Sequence, residues 1–283
     1  MSGRPDWLYA FSTLACPGWS WRDCLARASA MGYDGIEWRL LDGEVIAAAG
    51  PDPLFVEIRR RMDEAGLKTA ALDSGFKLAV PPAGFKITVL DEARSMLAKA
   101  HALGAPFLRV FNGKFPPGTD DDTAVEWIAE NAAALAAEAA GSGLTIALET
   151  HAFEGRGKNV SGTSDSRICA RVVDRLAGAG VGILWDFGNP YLEDEPFEET
   201  LANLEGRLAY VHAKDLVRRG DGSWAYIGMG RGQLPLAGMF AALKRRSFAG
   251  WISFEWEKKW HPEIDEPELA LPEFLSAMRE LES

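Results

Sequence analysis

Eight short apolar segments recur along the 283 residues of the chain, and each is followed by a stretch whose apolar residues have helical spacing. Each segment is four to seven residues long and rich in β-branched or aromatic side chains, as buried strands are. Regular alternation of strand and helix is typical of parallel strands joined by helical crossovers. Eight such units favour a closed barrel over an open doubly wound sheet. The sequence therefore predicts one domain over residues 1–283, a single (β/α)8 TIM barrel.

The predicted strands extend along the whole chain, and no linker or low-complexity segment interrupts the alternation. One helix candidate illustrates the pattern between them, with Ala93, Met96 and Ala100 on one face and Gly104 as its C-terminal stop. The predicted strands are residues 8–13, 35–38, 68–74, 107–113, 144–150, 181–187, 208–214 and 251–256.

Charge and composition narrow the partners that we expect. The formal net charge is -11, and the short basic runs lie in helical patterns, so a nucleic-acid partner is not expected. The N-terminus has no signal-peptide pattern and no stretch approaches 18 uninterrupted apolar residues, so we expect no membrane span. Three cysteines without metal-type spacing suggest a reducing compartment. We therefore predict a cytoplasmic protein and leave homo-oligomer formation open.

Polar residues end the last four predicted strands. Glu149, Asp186, His212 and Glu255 each follow an apolar run. A single carboxylate at a strand end is usually a salt-bridge partner or a helix cap, but four such residues on consecutive strands converge at the mouth of a barrel, where its chemistry takes place. Three crowded carboxylates repel one another unless one is protonated or a cation lies between them. We therefore predict one divalent metal ion bound by these four residues.

The donor set of three carboxylates and one imidazole is mainly oxygen. It favours Mn²⁺, with Mg²⁺, Co²⁺ and Zn²⁺ as alternatives, over a thiol-rich structural zinc site.

Other polar residues near the strand ends are candidates for contact with a substrate. His151 and Lys214 are catalytic candidates, since His151 begins the loop after Glu149 and strand alternation places Lys214 on the side of His212. A backbone hydrogen bond is the structural alternative for His151, and packing is the alternative for Trp260. The predicted substrate contacts are Glu37, Arg39, Asn112, Asn189, Trp260 and His261.

The order Glu, Asp, His, Glu, with HAKD at 212–215 and FEWE at 254–257, resembles the xylose isomerase-like TIM-barrel superfamily. That group includes sugar phosphate isomerases/epimerases, ketose 3-epimerases, inosose dehydratases and endonuclease IV, and the resemblance covers essentially the whole chain. It implies that the four strand-end residues are metal ligands. By likeness to the ketose 3-epimerases, Glu149 and Glu255 would also be the acid/base pair on opposite faces of the substrate.

One position departs from the pattern of that superfamily. Many members have D-x-x-H after the sixth strand, whereas this chain reads Asp186-Phe187-Gly188-Asn189. An amide is a poor metal ligand but can hydrogen-bond a hydroxyl. The departure speaks against a multi-zinc nuclease, and it puts in doubt a substrate pose carried over directly from the ketose 3-epimerases.

The resemblance and the strand-end residues together predict a metal-dependent isomerase or epimerase of a small sugar, sugar phosphate or polyol. The metal would acidify a C–H beside a carbonyl, and the two glutamates would transfer the proton through an enediolate. A dehydratase or other lyase acting on a keto-sugar, an inosose or a 3-keto-glycoside begins with the same step and then expels a β-substituent, with His151 or His261 as the acid. A non-catalytic sugar-binding barrel and an endonuclease IV-like nuclease are the remaining alternatives.

Overall fold

A closed barrel of eight parallel strands forms the centre of the protein. The structure, a computed structural model, describes residues 6–49, 53–151 and 165–282. Each strand pairs with the strands before and after it along the chain, and the last pairs with the first. The predicted (β/α)8 TIM barrel is therefore confirmed. Its strands are β1 (Trp7–Ser12), β2 (Gly35–Trp38), β3 (Lys68–Lys77), β4 (Phe107–Phe111), β5 (Thr145–Glu149), β6 (Val181–Asp186), β7 (Leu208–Ala213) and β8 (Gly250–Phe254).

Helices surround the barrel and cover its outer surface. They are α1 (Trp21–Met31), α2 (Leu54–Glu64), α3 (Pro82–Thr88), α4 (Leu90–Leu103), α5 (Asp121–Glu138), α6 (Asp165–Arg175), α7 (Asn189–Leu192), α8 (Phe197–Leu204), α9 (Leu236–Arg245) and α10 (Pro267–Glu282). Among the described residues, no helix has the length and apolar character that crossing a membrane requires.

All eight predicted strands are present, and their ends differ from the prediction by a few residues. The largest difference is in β3, which continues to Lys77 instead of ending at residue 74. Two small antiparallel hairpins were not predicted, because strands of two to four residues are too short to show a period. The first hairpin pairs Leu40–Leu41 with Glu44–Val45, and the second hairpin pairs Asp215–Arg218 with Trp224–Ile227.

The alternation of side chains along the strands divides the barrel into an outer and an inner set. Outward residues such as Ile183 and Trp185 belong to the large apolar core shared with the helices. Inward residues that precede the strand ends form a separate small cluster inside the barrel. That cluster comprises Ala10, Ala70, Ala71, Ala147, Leu184, Tyr210 and Trp251. Because this apolar layer fills the barrel towards the N-terminal ends of the strands, the polar residues that follow it lie at the opposite end.

Gly35, at the start of β2, lets this apolar layer close. A Cβ atom at Gly35 would lie 2.2 Å from the carbonyl oxygen of Lys68 and 2.7 Å from Cη2 of Trp251. We expect Gly35→Ala to lower the free energy of unfolding by about 1–3 kcal/mol, because backbone or indole must move. Denaturant unfolding measures this. Gly84→Ala in α3, where a Cβ would meet nothing within 4 Å, is the matched control. Equal losses in both variants would contradict the packing account.

Candidate active site

The last four strands bring four polar side chains to one point inside the barrel. Glu149 and Asp186 end β5 and β6, His212 lies near the end of β7, and Glu255 directly follows β8. Glu149, Asp186 and His212 each lie two residues beyond an inward member of the apolar layer, so alternation turns them to the same interior. One nitrogen or oxygen of each of the four residues lies within 4.8 Å of the others, and no residue of the set is more than 4% exposed.

The turn after β6 holds one oxygen of Asp186 and leaves the other facing the cluster. The backbone N–H groups of Gly188 and Asn189 donate to Oδ1 at 2.9 and 2.7 Å. Oδ2 lies 2.8 Å from Nζ of Lys214. Burial raises the pKa of Asp186 to about 6, and the Lys214 ammonium opposes that rise. The sequence Gly188-Asn189 therefore orients this carboxylate through its backbone.

Glu37 and Tyr210 orient the imidazole of His212. Nε2 of His212 lies 2.8 Å from Oε1 of Glu37, which also accepts a hydrogen bond of 2.7 Å from the Tyr210 hydroxyl. The carboxylate therefore accepts a hydrogen bond from Nε2–H, and Nδ1 faces the cluster, 3.3 Å from Oε1 of Glu255. Burial opposes ionisation of Glu37, but His212 outweighs it and lowers the pKa of Glu37 to about 2.

The protonation of His212 depends on the same carboxylates. Burial lowers the pKa of the imidazole, yet Glu255 and Glu37 outweigh burial and raise the pKa well above its ordinary value. A cation bound at Nδ1 of His212 would displace the proton from Nδ1. The affinity of the site for the cation would therefore fall at low pH.

Lys214 lies among three carboxylates. Its Nζ contacts Oδ2 of Asp186 and Oε2 of Glu255, and it lies 3.2 Å from Oε1 of Glu257. Burial lowers the pKa of the Lys214 ammonium, but Asp186 and Glu255 outweigh burial and raise that pKa well above its ordinary value. The structure thus places this predicted catalytic residue in direct contact with the four-residue cluster.

Two charged residues of the site were missed in the sequence. Arg109, in β4, is buried, with Nε 3.3 Å from Oε2 of Glu149 and Nη2 3.4 Å from Oδ2 of Asp73. Asp73 is also buried, and burial together with Glu37 raises the pKa of Asp73 to about 8. Both interrupt otherwise apolar strands at inward positions, and that was the signal available in the sequence.

Glu149 and Glu255 have opposite electrostatic surroundings. Burial raises the pKa of Glu149 well above its ordinary value, with Arg109 opposing and Glu255 adding to the rise. Burial also opposes ionisation of Glu255, but His212 and Lys214 outweigh it and lower its pKa well below the ordinary value. Two carboxyl groups whose pKa values are driven apart suit the roles of acid and base.

The predicted substrate contacts at the ends of the earlier strands lie in different surroundings. Glu37 is fully buried beside His212. Asn112 is also fully buried, and its Nδ2 donates to Sγ of Cys169 at 3.2 Å. Arg39 is half-buried, and its Nη1 donates to the backbone carbonyl of Asp73 at 3.2 Å. Asn189 is 8% exposed at the start of α7. A substrate contact through any of them stays a prediction.

The remaining candidates lie farther along the loops. The ring of His151 packs edge-on against Phe111 at 4.7 Å, and burial with nearby Arg109 lowers the pKa of His151 to about 3. Trp260 is 49% exposed. Nδ1 of His261 lies 3.6 Å from Oε1 of Glu263, and its ring is 4.8 Å from the ring of Tyr226. The roles of these three also stay predictions, and residues 152–164, which follow His151, lie outside the described residues.

The chain belongs to the xylose isomerase-like TIM barrel family, whose pattern matches residues 25–281. A curated relative is the 2-oxo-tetronate isomerase of Pectobacterium atrosepticum, 23% identical over 175 residues. That match covers 60% of this chain and 63% of the relative, so less than two thirds of the relative's length is matched.

Solved structures of similar fold cover nearly the whole chain. The IolI protein, solved with a bound zinc atom, has a TM-score of 0.80 at 17% identity, over 98% of both chains. The D-allulose 3-epimerase of Methylomonas sp. has a TM-score of 0.73 at 21% identity, over 99% of this chain and 100% of that one. The 3-keto-D-glucoside 4-epimerase YcjR of E. coli has a TM-score of 0.71 at 16% identity, over 96% and 98%. Likeness at these identities establishes the shared fold.

Proposed function

We propose that the protein is a divalent-metal-dependent isomerase or epimerase of a small carbohydrate or a related polyhydroxy carbonyl compound. The observation that carries the proposal is the convergence of two buried glutamates, Glu149 and Glu255, on the point that Asp186 and His212 also face. The names of the relatives, 2-oxo-tetronate isomerase and two sugar epimerases, support this reaction class.

The donor atoms of the cluster fit a cation. Glu149 Oε2, Asp186 Oδ2 and His212 Nδ1 are buried and form no hydrogen bond of regular geometry, and their partners are the ion pairs with Arg109, Lys214 and Glu255. Carboxylates crowded in this way are stabilised by a cation that lies between them. Glu149, Asp186, His212 and Glu255 would hold the ion, and Mn²⁺ suits this oxygen-rich set. The zinc of the IolI protein keeps Zn²⁺ as an alternative.

The two glutamates approach the site from different sides. Along the barrel, β5 and β8 flank the strands that supply Asp186 and His212. One glutamate removes the proton beside the substrate carbonyl, and the other returns a proton to the enediolate. When bound, the cation supplies Lewis acidity that makes this C–H acidic enough to lose its proton. His212 and Lys214 keep Glu255 ionised and therefore able to accept a proton.

The state of His151 argues against this residue as the acid of a lyase. A lyase must protonate the group that it expels, and His151 was the first candidate for that acid. With its pKa lowered to about 3, His151 is neutral near pH 7 and carries no proton that it readily gives up. The other candidate, His261, lies in the loop after β8 with 41% of its side chain exposed.

Solvent exchange tests the proposal. The Mn²⁺-loaded protein is incubated in D₂O with keto sugars, inososes, 3-keto-glycosides and keto acids that carry hydroxyl groups, and products are identified by NMR. We expect deuterium at the carbon beside the carbonyl in substrate or product, together with an isomer of the substrate. Release of water or an aglycone would show a lyase. Absence of both exchange and product with every compound would leave only a binding protein and overturn the proposal, and an isomer formed without exchange would overturn the enediolate step.

Asn189 provides a prediction that separates substrate contact from metal binding. Its backbone N–H, which Asn189→Ala retains, is the part that holds Asp186. We therefore expect Asn189→Ala to keep its metal content while kcat/KM falls about 3- to 10-fold, the effect of one lost hydrogen bond. Steady-state kinetics beside elemental analysis measures both quantities. Loss of metal in this variant would show that the side chain acts on the metal site instead.

A further inference from the structure

Arg39 differs from the more deeply buried cations of the barrel mouth, Arg109 and Lys214, in having no carboxylate partner among the described residues. Its guanidinium donates to one backbone carbonyl, that of Asp73, and forms no ion pair with a carboxylate of the described residues. By contrast, Arg109 is paired with Asp73 and Glu149. Lys214 is paired with carboxylates too. A half-buried guanidinium without a counter-ion is costly, so its charge is available to an anion that enters the site.

The backbone holds Arg39 in position at the end of β2. The backbone N–H groups of Arg39 and Leu40 both donate to Oγ1 of Thr13, at 2.9 and 2.7 Å. Beside the guanidinium lies Gly75, where even a Cβ atom would come within 3.6 Å of Nη2. Gly75 itself therefore adds no side chain beside the guanidinium, and the anchored backbone of Arg39 needs little reorganisation when a ligand binds.

Direct contacts link Arg39 to Glu149 through Asp73 and Arg109. Nη1 of Arg39 donates to the backbone carbonyl of Asp73, Oδ2 of Asp73 lies 3.4 Å from Nη2 of Arg109, and Nε of Arg109 lies 3.3 Å from Oε2 of Glu149. Burial and the neighbouring Arg109 lower the pKa of Arg39 to about 10, while Asp73, Glu149 and Glu255 act in the opposite direction. Arg39 thus keeps its proton at neutral pH. An anionic group bound there would be separated from Glu149 only by Asp73 and Arg109 along this series of contacts.

We propose that Arg39 binds a carboxylate of the substrate, so that the protein acts on a short hydroxylated keto acid in preference to a neutral sugar. This inference rests on the proposed isomerase or epimerase function and names its substrate class. A planar guanidinium matches a carboxylate in bidentate geometry. The name of the curated relative, 2-oxo-tetronate isomerase, describes a substrate of this chemistry.

A phosphate monoester fits the site less well. It carries almost two negative charges, and Arg39 is the one cation of the described barrel mouth among Arg39, Arg109 and Lys214 that lacks a carboxylate partner. The glycine-rich loop at 228–232 offers no phosphate cradle either. The N–H groups of Gly230 and Gly232 donate to Oδ2 of Asp215, at 3.0 and 2.8 Å. The carboxylate of the protein itself therefore occupies that loop.

Calorimetric titration tests the carboxylate site without any turnover. The Mn²⁺-loaded and metal-free proteins are titrated with erythronate, neutral erythritol and erythritol 4-phosphate. We expect the loaded wild type to bind erythronate about 10- to 100-fold more tightly than erythritol, the range for a hydrogen-bonded charge pair. Arg39→Gln should remove that preference and leave the affinity for erythritol unchanged, and Arg39→Lys should retain part of it.

Arg61→Gln in α2 is the matched control. It removes the same charge from an exposed ion pair with Glu57, within a helix on the outside of the barrel. Erythronate preference that survives in Arg39→Gln would overturn the inference, as would equal weakening of erythronate and erythritol. Tighter binding of erythritol 4-phosphate than of erythronate would show that the site prefers a phosphate to a carboxylate, and it would likewise overturn the inference. Failure of the proposed function would appear separately, as absence of solvent exchange with every substrate.

Discussion

Replacing Glu255 by Gln is expected to lower kcat by about 10²–10⁴-fold, and the loss should persist at saturating Mn²⁺. The amide keeps the shape of the side chain and one oxygen for a cation, but it cannot accept a proton. If Glu255 only held the metal, excess Mn²⁺ would restore much of the activity. Steady-state kinetics over a range of Mn²⁺ concentrations separates the two cases, and full activity with added metal would refute the acid/base role.

Glu149→Gln should be equally inactive in turnover, since a reaction that needs two proton transfers stops without either one. One of the two variants should nevertheless still exchange substrate hydrogen with solvent, because the remaining glutamate still removes a proton from its own side. Glu257→Gln is a nearby control. Glu257 also lies beside Lys214, but it is outside the four-residue cluster, so we expect a change of less than about tenfold.

The second large effect is expected on metal content. His212→Ala removes the one nitrogen donor of the cluster and should weaken metal binding by more than about 100-fold, since changes to residues that only support a ligand already cost 10- to 100-fold. Elemental analysis after dialysis and titration with Mn²⁺ measure this loss. His101→Ala, which changes an exposed histidine in α4, is the control and should bind metal as the wild type does.

His212→Ala also leaves the carboxylate of Glu37 buried without its imidazole partner. Breaking a buried ion pair in this way lowers the free energy of unfolding by about 3–5 kcal/mol. His212→Asn, which can still donate a hydrogen bond, is therefore made beside it. If the folded His212→Asn protein retained wild-type metal affinity, the assignment of His212 as a ligand would be wrong.

The sequence was sufficient to predict the barrel because each strand buries an apolar run and each run is followed by a helix. It also predicted which strand-end residues converge, since the C-terminal ends of parallel strands in a closed barrel meet at one mouth. The structure brings Glu149, Asp186, His212 and Glu255 together as expected. Their roles as ligands and as acid and base stay predictions.

The inner part of the site could not be predicted because its partners are far apart in the chain. Arg109 and Asp73 lie within strands that read as buried and apolar, and their pairing depends on the register between β3 and β4. Glu37 was expected to contact sugar hydroxyls, yet it hydrogen-bonds His212, 175 residues away. A closed barrel creates such contacts across its interior, and a periodicity pattern along one strand contains no information about the opposite strand.

The position of a bound Mn²⁺ ion tests the central claim most directly, because His212 faces two groups of carboxylates. Nδ1 faces Glu149, Asp186 and Glu255, whereas Nε2 faces Glu37 and Asp73, whose atoms also lie within 4.8 Å of one another. The measurement is anomalous scattering from crystals of the protein grown with Mn²⁺. We predict one peak per chain, bounded by Glu149, Asp186, Glu255 and Nδ1 of His212. A peak beside Glu37 and Asp73, or no peak inside the barrel, would contradict the proposed site.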